Sequence, residues 1–314
     1  MPVEINKNGQ ESSFEPTPDP IRVEESSVAF NESLSSVENN NDSATGLSAI
    51  EMNDPNNISV TIADPNSPLI ILFGPPACGK TMTLVRLTRY LQNQGYTIAP
   101  IKTFRPSTDT NYKEICENFN EMINSDNAAK STGRISFMLV EVIKNGNRLC
   151  QILEAPGEYY FNPEKPNNPF PNYVNTIINS GNRKIWSILV EPDWENEIDR
   201  RNYVSKITGL KQRMRMSDKV IFIYNKIDKT NFVRSVGNIN IDSAIKEVEN
   251  TYSNIFVPFL NQNPITKLFN KYNCEFVPFQ TGDYTQAING LTYQEGPDEY
   301  CDSLWSTLFK NIKG

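Results

Sequence analysis

The chain of 314 residues contains no histidine. That absence excludes Ser-His-Asp triads, histidine-ligated zinc and imidazole general bases. Chemistry here must run on carboxylates, amides, cations, backbone dipoles or a bound metal. Cysteine is sparse and irregular: Cys78, Cys116, Cys150, Cys274 and Cys301 are odd in number, scattered, and never spaced C-x-x-C. That pattern fits neither a disulfide framework nor a structural zinc site, and it suits a reduced, cytoplasmic compartment. No apolar run approaches the ~18 residues of a membrane span, and MPVEINKNGQ lacks the basic and apolar regions of a secretion signal. Internal repeats are missing, and so is the concentrated basic stripe of a nucleic-acid binder.

What charge there is lies unevenly. Net charge is −7, yet residues 1–66 hold twelve Asp and Glu against Lys7 and Arg22, which is −10 and leaves +3 for residues 67–314. The first 66 residues are also rich in Ser, Asn and Pro and poor in aromatics, too little apolar surface to offset the entropy of ordering. They are expected to form a disordered acidic tail, with Ile21 to Phe30 its one apolar stretch. Residues 67–314 are expected to form one domain.

The most informative stretch is Pro68 to Thr83, PLIILFGPPACGKTMT. A short apolar strand, Leu69 to Phe73, ends at Gly74, and Gly79, Lys80 and Thr81 precede an amphipathic helical pattern. This is G-x-x-x-x-G-K-[ST] between a strand and a helix, the context its mechanism requires. Successive backbone N–H groups (Gly74, Ala77, Cys78, Gly79, Lys80, Thr81, Met82) would cradle phosphates at a helix N-terminus. Lys80 would reach the outer phosphates, and the Thr81 hydroxyl would hold a Mg²⁺. Cys78 reads as a small residue filling a tight loop.

Beyond the loop the pattern alternates strands and helices, which predicts an α/β domain with a mostly parallel sheet. Leu84, Leu87 and Leu91 repeat at helical spacing, and Thr97 to Ile101 reads as a strand. Ile135 to Ile143 and Arg148 to Leu153 flank Asn145-Gly146, a strong hairpin signal because a type I′ turn needs positive φ at both central positions. One antiparallel hairpin is expected at the edge of the sheet. Strands follow at Ile185 to Val190, Lys219 to Tyr224 and Cys274 to Phe279. Helices are expected at Asn111 to Asn124, Tyr173 to Ile178, Glu195 to Met216, Ile241 to Tyr252 and Pro297 to Lys310.

Asn225-Lys226-Ile227-Asp228 leaves a buried strand directly. There the Asp228 carboxylate can accept from N1–H and the exocyclic N2–H₂ of guanine, a donor pair that adenine lacks. With this motif the sequence resembles the P-loop GTPases of the translation-factor and Ras-like class, and the resemblance implies a P-loop NTPase three-layer sandwich binding GTP or GDP with Mg²⁺. Ile152 to Glu158, ILEAPGE, stands where that family has D-x-x-G: the N–H of Gly157 would contact the γ-phosphate, and Glu154 replaces the aspartate that touches Mg²⁺ through water. Counting back places Thr132 at the metal-ligating switch threonine, with Thr103, Thr108 and Thr110 as alternatives. Gln280-Thr281-Gly282 stands at the loop whose backbone reads guanine O6.

Glu158 replaces the glutamine that orients the attacking water, so slow intrinsic hydrolysis is expected, helped by a cation supplied in trans from an activating protein. The resemblance implies a molecular switch or assembly factor with protein partners that the sequence does not identify. Two other readings stand beside it. One is an ATPase of AAA+-like type, suggested by Gly-Pro-Pro before the glycine-lysine pair. The other is a non-hydrolysing nucleotide-binding module, suggested by Glu154 and Glu158.

Overall fold

The computed structural model describes residues 47–124, 137–155, 157, 168–263, 265, 271–287 and 290–313, all within one compact unit, Ser43–Gly314. Its centre is β1 (Leu69–Phe73), five consecutive apolar residues that are all buried, as a strand covered on both faces requires. β1 feeds α2 (Lys80–Asn93) through the glycine-pinned loop. A short α1 (Ala49–Asn53) precedes them. Then come β2 (Thr97–Pro100), α3 (Thr110–Asn124), β3 (Met138–Lys144), β4 (Asn147–Glu154), α4 (Asn172–Asn179), β5 (Lys184–Val190), α5 (Glu197–Arg213) and β6 (Lys219–Tyr224). The small pair β7 (Val233–Ser235) and β8 (Asn238–Ile239), α6 (Ile241–Thr251), β9 (Glu275–Pro278), the hairpin β10 (Gly282–Ala287) and β11 (Gly290–Glu295), and α7 (Asp298–Lys313) complete the order.

Among the described residues the main sheet has seven strands in the order β2-β3-β4-β1-β5-β6-β9. β3 pairs antiparallel with both neighbours, and every other pairing is parallel. The crossovers β4-α4-β5, β5-α5-β6 and β6-α6-β9 all advance the same way across the sheet, so right-handed connection puts α4, α5 and α6 on one face. The crossover from β1 through α2 advances the other way, which puts α2 on the opposite face. α7 packs there too, since Tyr90 of α2 donates to Asp302 of α7. The result is the three-layer α/β arrangement of P-loop nucleoside triphosphatases, with one strand running against the rest. No helix among the described residues is long and apolar enough to cross a membrane.

Two expectations need correction. The β3–β4 hairpin does not end the sheet, because β2 pairs along β3 from Thr97 opposite Ile143 to Pro100 opposite Val140 and takes the edge itself. Nor does the packed body begin at residue 67. Leu47 and Ile58 are buried in the core, Ser48 and Glu51 form a reciprocal cap on α1, and the Thr61 N–H donates to Phe104 O at 2.8 Å. Arg105 pairs with Glu51 at 2.5 Å and donates to Ser59 O at 3.0 Å, while Asn182 donates to the carbonyls of Asp64 and Ser67. Side-chain hydrogen bonds from the domain hold this segment, and apolar composition does not register them. Residues 1–46 of the expected tail lie outside the described residues.

Candidate functional site

In an open parallel sheet, ligands bind at the carboxyl ends of the strands. Here those ends carry the phosphate loop after β1, Glu154 at the end of β4, Asn225 to Asp228 after β6, and Thr281 and Gly282 beyond β9. In the loop, Ala77 has φ 60° and Gly79 φ 91°, so two residues in left-handed backbone curl it toward the start of α2. A non-glycine residue held there is backbone strain of the kind that marks binding loops. Lys80 is buried at 6% exposure, and its Nζ donates to Pro75 O at 2.8 Å across the loop. The Cys78 thiol is buried, and a Cβ placed on Gly74 would lie 2.5 Å from its Sγ, so the pair is close-packed. Burial pushes that thiol up to about 11, which leaves it protonated and inert near neutrality.

The Thr81 hydroxyl donates to Glu154 Oε1 at 3.2 Å. A hydroxyl and a carboxylate converging at a helix N-terminus are hard oxygen donors of the sort Mg²⁺ takes together with phosphate oxygens. Among the described residues no group of three or more Cys, Asp and Glu could hold a metal by protein ligands alone. Gly157 lies hard against the loop: a Cβ there would meet Pro75 C and Pro76 N at 2.6 Å and Lys80 Nζ at 2.7 Å. Only glycine fits so close a backbone approach. Thr132 and Glu158 lie outside the described residues.

The Asn225 loop is bonded on both sides. Its Nδ2 donates to Cys78 O at 3.0 Å, and the Ile227 N–H donates to Phe279 O at 3.2 Å. The loop thus bridges the phosphate loop and the end of β9, which leads into Thr281 and Gly282. Thr281 is buried, and its carbonyl accepts from Tyr293 Oη at 2.5 Å and from the Gly296 N–H at 3.3 Å. Asp228 has an exposed side chain, yet partial desolvation raises its carboxyl above the ordinary value; Asp283 and Asp193 add to the shift, while its own backbone N–H and Lys229 oppose it.

Sequence reasoning did not find two residues at this end of the sheet. Glu191 and Asp193 follow β5 directly, and Lys226 Nζ lies 2.5 Å from Glu191 Oε2 and 3.2 Å from Asp193 Oδ1. Burial would lower the Lys226 ammonium, but the two carboxylates outweigh it and raise it. Glu191 itself is pushed up by burial, with Lys226 pulling the other way. Their signal was positional: carboxylates just past the end of a central parallel strand fall at the site by topology.

Fold and loops together define a P-loop nucleotide-binding α/β domain. Neither a protein-family model nor a curated protein sequence matches the chain. Among solved structures it is similar to a Plasmodium falciparum protein assigned as nucleolar GTP-binding protein 1, at 16% identity and TM-score 0.39, covering 81% of this chain and 92% of that one. It is similar to the GTPase-like domain of Ski7 from S. cerevisiae bound to GTP, at 13% identity and TM-score 0.39, over 81% and 52% of the two chains. A GTPase from Pyrococcus abyssi gives 12% identity and TM-score 0.36 over 78% and 97%. At that level of likeness the functional reading rests on the site's own geometry.

Proposed function

We propose that this chain binds GTP with Mg²⁺ and hydrolyses it slowly, acting as a molecular switch or assembly factor. One observation carries the reading: a single loop, Asn225 to Asp228, is hydrogen-bonded to the phosphate loop through Asn225 and to the end of β9 through Ile227. The loop that carries the carboxylate suited to a guanine edge is therefore tied, through Asn225, to the cradle suited to a triphosphate on one rim of the sheet.

The roles follow from the positions. Backbone N–H groups from Ala77 to Met82 and the positive end of α2 would bind the phosphates, with Lys80 supplying a buried cation beside them. Thr81 and Glu154 would hold the magnesium, which when bound neutralises charge on the β- and γ-phosphates. The Gly157 N–H, packed beside Lys80, would meet the γ-phosphate and make the loop around it sensitive to hydrolysis. Asp228 would accept from N1–H and N2–H₂ of guanine, and Thr281 and Gly282 would present backbone to its O6. Slow turnover would be raised by a cation from an activating protein in a reduced cytoplasm.

The test is binding of labelled GTP and ATP to the wild-type chain and to Asp228→Ala. Preference for GTP that disappears in the variant is expected; equal affinity of the wild type for both nucleotides would sink the reading, and an ATP preference that survives Asp228→Ala would favour an ATPase. A second reading, a bound nucleotide that is never turned over, draws on the direct bond between Thr81 and Glu154, where the longer acid reaches the hydroxyl itself. Multiple-turnover phosphate release that depends on Lys80 would exclude it.

A further inference from the structure

Lys226 is a left-handed residue, φ 55° and ψ 38°, between two neighbours that are each tied elsewhere. Asn225 is bonded to the phosphate loop and Ile227 to the end of β9. A lysine gains nothing intrinsic from this conformation, which strains any residue bearing a Cβ. Something must hold it: the Lys229 N–H donates to its carbonyl at 3.0 Å, and a second hold is at the far end of the side chain.

The ammonium sits between Glu191 and Asp193, and Asp193 is itself held by Lys229 at 3.0 Å. The acidic turn is in turn built on buried structure. The Glu191 N–H donates to Tyr252 Oη at 3.1 Å, and that hydroxyl donates back to Glu191 O at 2.8 Å. Tyr252 is 1% exposed and packs in a ring cluster with Trp194 and Tyr203, while Tyr203 stacks on Phe73 at the end of β1. Pro192, between the two acids, has its φ locked by its ring. The carboxylates are thus aimed from a rigid base, and Glu191 is largely desolvated, where an ion pair with good geometry is directional.

We infer that Glu191 and Asp193 are positioning residues for base recognition, clamping Lys226 in its left-handed conformation so that Asp228, two residues on, faces the edge of the purine. The inference rests on the GTP reading above and adds the device that sets its selectivity. Neither acid touches the base; both act through the backbone of the loop.

Inosine triphosphate, which lacks the exocyclic amino group, isolates the second hydrogen bond to Asp228. The experiment measures affinity for GTP, ITP, ATP and inorganic tripolyphosphate in the wild type, Glu191→Gln, Asp193→Asn, Lys226→Gly and the Lys226→Gly/Glu191→Gln pair, with thermal unfolding of each. Glu191→Gln should lose GTP-over-ITP preference by about tenfold, the worth of one well-aligned hydrogen bond, and leave tripolyphosphate binding unchanged. Asp193→Asn, at a more exposed position, should lose less. Glycine adopts the left-handed backbone without strain, so adding Glu191→Gln to Lys226→Gly should change selectivity no further.

An unaltered GTP-over-ITP ratio in both acid variants, or effects of Glu191→Gln and Lys226→Gly that simply add, overturns the clamp. A parallel fall in every ligand with the unfolding temperature assigns the acids a structural role only and overturns it as well. If the wild type itself does not prefer GTP to ATP, the nucleotide reading fails and the clamp with it, an outcome separable from the others because it appears before any substitution is made.

Discussion

The side-chain amide of Asn225 donates to the backbone carbonyl of Cys78 at 3.0 Å, a buried bond between residues far apart in the chain. It ties the loop after β6 to the loop after β1, and no backbone pairing between those strands exists, because β5 lies between them. Asn225→Ala strands a buried carbonyl. The expected cost is about 1–3 kcal/mol in folding free energy, together with weaker GTP binding, measured by urea unfolding and titration with labelled nucleotide. Asn225→Asp keeps the shape, faces a carboxylate toward that carbonyl, and should be no better.

On the proposed reading, Asp228 should make nucleotide binding dependent on pH with a definite sign. Its carboxyl is raised by partial desolvation, with Asp283 and Asp193 adding to it. Only the ionised form accepts two hydrogen bonds from guanine, so GTP affinity should be full at neutral pH and be lost as the pH falls through a value raised from that of an ordinary aspartate. In the free chain the sign reverses: a raised carboxyl holds its proton more tightly folded than unfolded, and this contribution to stability is lost as pH rises through the same interval. Asp283→Asn removes one neighbouring charge and should move the loss of GTP affinity to lower pH. Titrating GTP binding from roughly pH 4 to 7 in wild type and variant checks both direction and displacement.

Which parts were legible in the sequence follows from how local their chemistry is. The run from Leu69 to Thr81 reads directly because a phosphate cradle needs contiguous residues, and Asn225 to Asp228 reads because its motif sits at the end of an apolar strand. α5 is expected from Glu195 to Met216 but spans Glu197–Arg213, since the Asn196 side chain accepts from the N–H groups of Ile198 and Asp199 and fixes the start. Hairpin β10–β11 is not anticipated, although Asn289-Gly290 carries the same signal as Asn145-Gly146. Glu191 and Asp193 are silent in one dimension: each meets Lys226 only because β5 and β6 are neighbours in register, Val190 opposite Tyr224. The packing of residues 47–66 was hidden for a related reason, its anchors being polar side chains such as Arg105 and Asn182 contributed from elsewhere.

Arg86, in the helix that begins at the phosphate loop, is 1% exposed and braces the opposite side of the site. It pairs with Glu295 at 2.9 Å and with Asp298, and donates to Gly296 O at 2.7 Å; Arg89 shares Glu295 at 2.8 Å. Gly296 in turn donates its N–H to Thr281 O. Arg86→Met fills much of the volume and removes the bonds from Arg86 to Glu295, Asp298 and Gly296 O. A loss of about 1.5–3 kcal/mol is expected, the range for hydrogen bonds to charged groups, and the part that weakens with salt should be the pair with the exposed Asp298. GTP should be weakened more than tripolyphosphate, since the displaced backbone is at Thr281 and not at Lys80. Unfolding at two ionic strengths and parallel titrations with the two ligands test this.

On the proposed reading, Gly157 is the residue that tells the γ-phosphate from the rest of the nucleotide. A methyl group there would sit 2.6 Å from Pro75 C and Pro76 N, backbone atoms that cannot swing aside, and 2.7 Å from Lys80 Nζ. Gly157→Ala must therefore push its own segment away from the phosphate loop or push the loop out of shape. In the first case the N–H at 157 leaves the γ-phosphate while the cradle for the inner phosphates survives. Hydrolysis should then fall by roughly 100-fold, the scale of an ångström-sized misplacement, and GTP affinity should drop toward that of GDP, which is itself unchanged. In the second case GDP weakens in step with GTP, because the loop residues from Ala77 to Met82 serve both. Single-turnover phosphate release and the GTP-to-GDP affinity ratio distinguish the two, and only the first outcome agrees with Gly157 as the residue that senses the terminal phosphate.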